Sequence, residues 1–195
     1  MRLTQREMIL SVTSKWQGER APNGRPLVPD DILQRMEKVT TEEAWFVLYR
    51  NGYTEQFEGG WKTLDPDHVL VGRAVTCRYV PGRPDIEEVV NALGEREGRI
   101  GSQNSWAIDE LVKDDVIVVD LFGKIRDGGF AGDNLATAIK VKTNRGMVID
   151  GTDRDVQGIV KIPEFGVFAR DWHPSAFSEV TMVEINGITR IGSAT

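Results

Sequence analysis

The run from Val116 to Gly123, "VIVVDLFG", places the tightest constraint on the fold. Its apolar, β-branched residues do not alternate with polar ones, which marks a strand buried on both faces, as inside a parallel sheet. Downstream come a glycine-rich turn, "GGFAGD", a helical pattern, "NLATAIK", and a second short apolar run, "GMVID". Parallel strands need a long crossover, usually a helix, so this stretch predicts a strand–helix–strand unit in an α/β domain.

The flanking sequence fits that frame. Residues 3 to 17 show helical spacing, with Ile9, Val12 and Trp16 on or near one face. "ERAPNGRPLVP" reads as a loop, and "DDILQRMEKV" and "TTEEAWFVLYRNG" as two helices, the second opened by Thr with Glu close behind and stopped near Gly52. The stretch from Tyr53 to His68 has no regular pattern. "VLVGRAVTCRYV" predicts a strand ended by the prolines of "PGRPD", and "IEEVVNALGEREG" an amphipathic helix. Near the end, "GVFAR", "TMVEI" and "ITRIG" read as strands, the last two joined in a hairpin at Asn186-Gly187. The expectation is an α/β domain with a mixed central sheet and flanking helices.

Composition narrows the function. With 195 residues and a net charge of −6, the chain can bury a full core and presents an acidic surface that repels phosphate backbones, so no nucleic-acid partner is expected. The lone cysteine, Cys77, lies in an apolar stretch and reads as a small buried hydrophobe; it excludes a disulfide framework or a cysteine-built zinc site within the chain. No run approaches the length of a membrane span and no signal-peptide core opens the chain, so a cytoplasmic protein is expected.

The glycine-rich turn first suggests a dinucleotide site, with Asp150 as the ribose-binding acid. The glycines, however, run Gly128-Gly129-x-x-Gly132, and Asp133 follows the last one directly. A helix start favours anions, and a fixed carboxylate there repels a pyrophosphate unless a cation intervenes. Taken alone, Asp133 reads as a helix N-cap.

At the other end of the unit, Asp150, Asp153, Arg154 and Asp155 crowd one turn. In a parallel sheet, ligands bind beyond the carboxyl ends of the strands, so this turn and the glycine-rich one are expected side by side, with Asp133 facing Arg154 and Asp155. Carboxylates hold a hard cation such as Mg²⁺, guanidinium grips a carboxylate or enolate oxygen, and free helix-start amides hold a small anion. Together they suit charge developing on a 2-oxo acid as a bond beside its carbonyl breaks. The competing reading from spacing alone is a surface salt bridge between Arg154 and a neighbouring Asp.

Gly132-Asp133, then twenty residues, then Arg154-Asp155 resembles the Asp-x20-Arg-Asp signature of class II pyruvate aldolases of the RraA-like family, the 4-hydroxy-4-methyl-2-oxoglutarate/4-carboxy-4-hydroxy-2-oxoadipate aldolases. "VGRAVTCRYVPGRPD", "DDVIVVD", "GDNLATAIK", "RGMVIDGTDRD" and "FGVFAR" follow in the family's order, over roughly residues 40 to 192. The resemblance implies a swivelling β/β/α domain, usually a trimer or dimer of trimers with sites at subunit interfaces. It implies Asp155 as a direct ligand of Mg²⁺ or Mn²⁺, with Asp133 reaching the metal through water. Arg154 would bind the pyruvyl moiety and stabilise its enolate, the backbone amides of Asn134 and Leu135 would hold its carboxylate, and a water near Asp133 would move the proton.

On this basis the chain divides into a helical extension, residues 1–39, packed on the core, and an RraA-like domain, residues 40–195, whose final "GSAT" reads as a cut end because the family pattern continues with a Pro-Gly-Asp segment. The expected activity is metal-dependent cleavage or decarboxylation of a small 4-hydroxy-2-oxo or 2-oxo acid. The alternative is a non-catalytic regulator, since the members that name the family bind and inhibit a ribonuclease; those typically lack the Asp that is Asp155 here. Among other residues, Arg126-Asp127 reads as a solvated loop pair and His173 as a structural loop histidine. Trp45, Trp61, Trp106 and Trp172 read as core or contact residues. Glu97 and Arg99 have no assigned place.

Overall fold

A computed structural model describes residues 6–195. The two apolar runs become neighbouring parallel strands, β3 (Asp115–Asp120) and β4 (Gly146–Asp153), with Ile117 opposite Met147 and Val119 opposite Ile149. Around them, β1 (Lys62–Thr63), β2 (Arg73–Pro81), β5 (Gly166–Trp172) and β6 (Val180–Ile185) complete a sheet ordered β1-β5-β4-β3-β2-β6. The four central strands are parallel, and β1 and β6 pair antiparallel at the edges. This is the expected α/β fold with a mixed sheet and flanking helices.

One face of the sheet carries α4 (Pro84–Arg96), α5 (Gln103–Asp109), α6 (Asp133–Thr143) and the short α7 (Val156–Ile159). Alternate strand residues Val75, Cys77, Tyr79, Ile117, Val119, Met147, Ile149 and Val167 point to that side and form one core with Val90, Leu93, Trp106 and Ile139. Burying each such aliphatic side chain stabilises the fold by roughly 1.5–3 kcal/mol. In α6 the residues Ala136, Ile139 and Thr143 are buried at helical spacing, which fixes its rotation and hence where its first turn points. Burial forces the Cys77 thiol far above its ordinary pKa, so it is an inert core group.

On the opposite face lie α1 (Arg6–Val12), α2 (Asp30–Met36) and α3 (Thr41–Arg50). Ile9 and Leu33 are buried, and Arg25 forms a two-pronged ion pair with the fully buried Asp115, at 3.1 and 2.8 Å. Helix α3 opens with the expected capping box: Glu43 N–H donates to Thr40 Oγ1 at 3.2 Å, and Thr40 N–H to Glu43 Oε2 at 3.0 Å. None of its residues is buried, and a cleft of about 870 Å³ separates it from Val118, Val148 and Phe168 of the sheet.

Several local expectations change. The first helix stops at Val12, and residues 3–5 of its predicted span lie outside the described residues. Helix α5 was not expected. The predicted terminal hairpin does not form, although Asn186 adopts the positive φ of such a turn. Asn186 N–H instead donates to Thr76 O on β2 at 2.8 Å, and the following chain crosses the sheet. There Gly192 N–H reaches Asp150 Oδ2 at 3.2 Å and Ser193 N–H reaches Glu58 Oε2 at 2.8 Å. These side-chain acceptors replace the ladder that a return strand would have made. Trp106 is in the core, whereas Trp45 is half-exposed and stacked on Tyr49, and Trp61 lies under the Arg170 guanidinium, 4.1 Å from ring centre.

Candidate functional site

The glycine-rich segment runs beside the carboxyl end of β4. Thr152 N–H donates to Gly128 O at 3.3 Å, Phe130 N–H to Thr152 O at 2.9 Å, and Arg154 N–H to Ala131 O at 3.1 Å. The two turns that the sequence placed side by side therefore share a backbone ladder. A Cβ at Gly129 would enter the Ser175 backbone carbonyl, so glycine is required there, whereas one at Gly132 would overlap only the free end of the Asp155 side chain, its carboxylate.

Helix α6 starts at this junction. Gly132, not Asp133, is the N-cap; Asp133 is the first helical residue and makes no capping bond, because Ala136 N–H already closes the first turn on Gly132 O at 2.9 Å. The expectation of an Asp133 cap is thus corrected. Among the described residues no side chain caps the helix start, so the N–H groups of Asn134 and Leu135 keep the helix's positive end open to an anion. The Asp133 side chain packs on α7, its Cβ and Oδ2 each 2.6 Å from where a Cβ at Gly158 would sit.

Arg154 and Asp155 leave β4 through a sharp turn. Asp155 adopts a left-handed conformation (φ 58°) as the residue capping α7, a geometry that Asp tolerates better than most side chains. Its carboxylate lies against Gly132, and the Arg154 guanidinium carbon is 3.5 Å from the same Cβ position. The two side chains touch at 3.4 Å and each is about 40% exposed. A surface pair this loose contributes little stability. The guanidinium makes no other ion pair among the described residues.

Two buried groups support the junction. Asp153 is fully buried; its Oδ1 accepts the Ala131 N–H at 3.1 Å, and its Oδ2 has no partner. Burial pushes its pKa up to about 7, opposed by the Ala131 hydrogen bond. Asn104 of α5 donates from Nδ2 to Phe130 O at 2.8 Å. Sequence reading counted Asp153 among the crowded carboxylates without assigning it a place, and it missed Asn104 together with α5.

The remaining candidates fall elsewhere. Asp150 is occupied by Arg170 and Gly192 N–H, so it is not a free ribose acid. Arg126 is solvent-exposed and pairs with Asp127 at 3.4 Å. His173 Nδ1 meets the hydroxyl and N–H of Ser175 at 2.7 and 3.2 Å, which ties the ring to its own loop. Arg99 pairs with Glu97 at 2.8 Å and with Glu110 at 3.1 Å. Trp172 ends β5 opposite Asp153.

The geometry defines a class: an α/β protein with a carboxylate and guanidinium pair set against an open helix start at the carboxyl end of its sheet. The family model described as RraA-like, Aldolase/RraA, matches residues 39–195, and the chain belongs to that family. The family's description thus spans aldolases and RraA proteins.

No curated protein matches the sequence. Among solved structures, RraAS2 of Streptomyces coelicolor, described as an unusual member of the RNase ES inhibitor RraA protein family, shares 22% identity at a TM-score of 0.64, over 82% of this chain and 73% of its own. A structure described under novel cellulases from microbes of the gut ecosystem shares 20% at 0.67, over 94% and 78%. An uncharacterised protein of Pseudomonas syringae pv. tomato DC3000 shares 19% at 0.60, over 82% and 65%. At these identities the likeness is one of fold. No helix among the described residues is long and apolar enough to cross a membrane.

Proposed function

We propose that the protein is a divalent-metal-dependent carbon–carbon lyase, an aldolase or decarboxylase acting on a small 4-hydroxy-2-oxo or 2-oxo acid. The observation that carries this reading is the packing of Asp155 and Arg154 around Gly132, at the uncapped start of α6. A metal fits the donor set. Among the described residues no three His, Cys, Asp or Glu side chains converge, and Mg²⁺ is commonly held by one or two carboxylates, with water and substrate oxygens completing its shell. Asp155 would hold Mg²⁺ or Mn²⁺ directly and Asp133 through water; the ion supplies Lewis-acid stabilisation of negative charge.

The chain's own groups do the rest. Asn134 and Leu135 amides bind the substrate carboxylate at the helix start, and the Arg154 guanidinium binds the pyruvyl oxygen. When the bond between C3 and C4 breaks, its electron pair becomes the enolate of pyruvate, whose charge Arg154 offsets. In decarboxylation the C4 carboxylate leaves as CO₂ and C3 takes a proton; in aldol cleavage the 4-hydroxyl loses its proton as C4 leaves as a carbonyl compound, and C3 of the enolate takes that proton to give pyruvate. A water hydrogen-bonded to the Asp133 carboxylate carries that proton.

The exposed, stacked Trp45 and Tyr49 on α3 support a subunit contact, and we propose a homo-oligomer, a trimer or dimer of trimers. We further propose that residues 1–39 form an extension of an RraA-like domain of residues 40–195, and that the protein acts in the cytoplasm. The test is a panel of 2-oxo acids, oxaloacetate first, assayed for pyruvate release with added Mg²⁺ or Mn²⁺. A ribonuclease regulator is the rival; the presence of Asp155 supports the enzyme, and ribonuclease capture without metal-dependent turnover would favour the rival.

A further inference from the structure

We infer that Asn104 and Asp153 are positioning residues, which clamp the Phe130–Ala131 peptide from both ends and so set the start of α6 against Arg154. The inference rests on the lyase reading of that site. The carbonyl of Phe130 and the N–H of Ala131 belong to one peptide unit; Asn104 Nδ2 donates to the first at 2.8 Å and Asp153 Oδ1 accepts from the second at 3.1 Å. Phe130 and Ala131 are buried, as are Asn104 and Asp153, so no water substitutes for either partner.

Both clamps are themselves anchored. Asn104 Oδ1 accepts the Ser105 N–H at 3.0 Å, which fixes the amide with its NH₂ toward Phe130. Asp153 is held in the sheet opposite Trp172, and its carbonyl accepts His173 N–H at 3.1 Å. The peptide they orient lies directly before the Gly132 cap. The carbonyl of the next peptide unit, that of Ala131, accepts the Arg154 N–H at 3.1 Å. A tilt of this peptide therefore moves the Asn134 and Leu135 amides and the Arg154 backbone relative to one another. Substrate carboxylate and keto oxygen are held by these two parts separately, and misplacement of about 1 Å in such a pair costs up to roughly 10²-fold in rate.

The test compares Asn104→Ala, Asp153→Ala and Asp153→Asn in the full chain with metal present. The alanine variants are expected to lose about 10- to 100-fold in kcat/KM for the 2-oxo acid, with kcat carrying most of the loss. Asp153→Asn keeps an acceptor for Ala131 and is expected to recover activity to within about threefold. Hydrogen exchange at the Ala131 amide gives a readout free of turnover: faster in Asp153→Ala, protected in Asp153→Asn. Unchanged Ala131 protection in Asp153→Ala, or an Asp153→Asn as impaired as the alanine variant, overturns the clamp. A wild-type protein that releases pyruvate from no 2-oxo acid sinks the lyase reading instead, and the exchange measurement still decides the clamp.

Discussion

Gly132 and Asp155 occupy one volume: the Asp155 carboxylate fills the space that a side chain at position 132 would need. The neighbour is the free end of a side chain, so it can move aside, and Gly132 has a φ of −103° that alanine adopts readily. Gly132→Ala should therefore fold with a melting temperature near wild type while pushing Asp155 away from the helix start. The expected result is a loss of at least about tenfold in Mn²⁺ affinity and in kcat/KM, read by metal titration and steady-state kinetics.

Gly158→Ala separates the second carboxylate from the first. The added Cβ would lie 2.6 Å from both Cβ and Oδ2 of Asp133, whose side chain supplies all three of its nearest neighbours, so Asp133 must shift. With Asp133 as the group that handles the proton, kcat should fall by roughly tenfold with KM changed less, as kinetics over pH 6 to 9 would show.

The first helices depend on a buried ion pair. Among the described residues, Arg25→Ala leaves the fully buried Asp115 with only its Val112 N–H bond, at 2.9 Å. Breaking a buried pair from one side typically costs about 3–5 kcal/mol, and denaturant unfolding of Arg25→Ala should show a loss of that order.

Asp153 makes stability depend on pH with a definite sign. Its pKa rises from 3.8 to about 7 on folding because burial disfavours the charge. The folded state then holds a proton that the unfolded chain releases. This contribution is full below about pH 4 and is lost as pH rises through 7, amounting to on the order of 4 kcal/mol. In the presence of a chelator, wild type should melt several degrees lower at pH 8 than at pH 5, and Asp153→Asn should lack that part of the difference. Parallel curves for the two proteins would contradict it.

Much of this arrangement was legible because it follows from local patterns. The β-branched run of β3 and the helical spacing of α6 dictate a crossover unit, and Gly132-Asp133 and Arg154-Asp155 lie at its two open ends. Helix α5 was hidden because five of its seven residues are buried, including the polar Gln103 and Asn104, which leaves no apolar stripe to read. Asp153 looks like one more surface acid in a charged turn; only the fold shows it inside, on the Ala131 N–H. Asn186-Gly187 carries a genuine turn preference, but acceptors on Thr76, Asp150 and Glu58 draw the following chain away from a hairpin.

The rate of pyruvate release from oxaloacetate at saturating Mn²⁺, compared between wild type, Asp155→Ala and Arg154→Ala, tests the central claim most directly. The account predicts metal-dependent release by wild type and a fall of about 100-fold or more in both variants. Release that persists unchanged in either variant, or that ignores the metal, would contradict it.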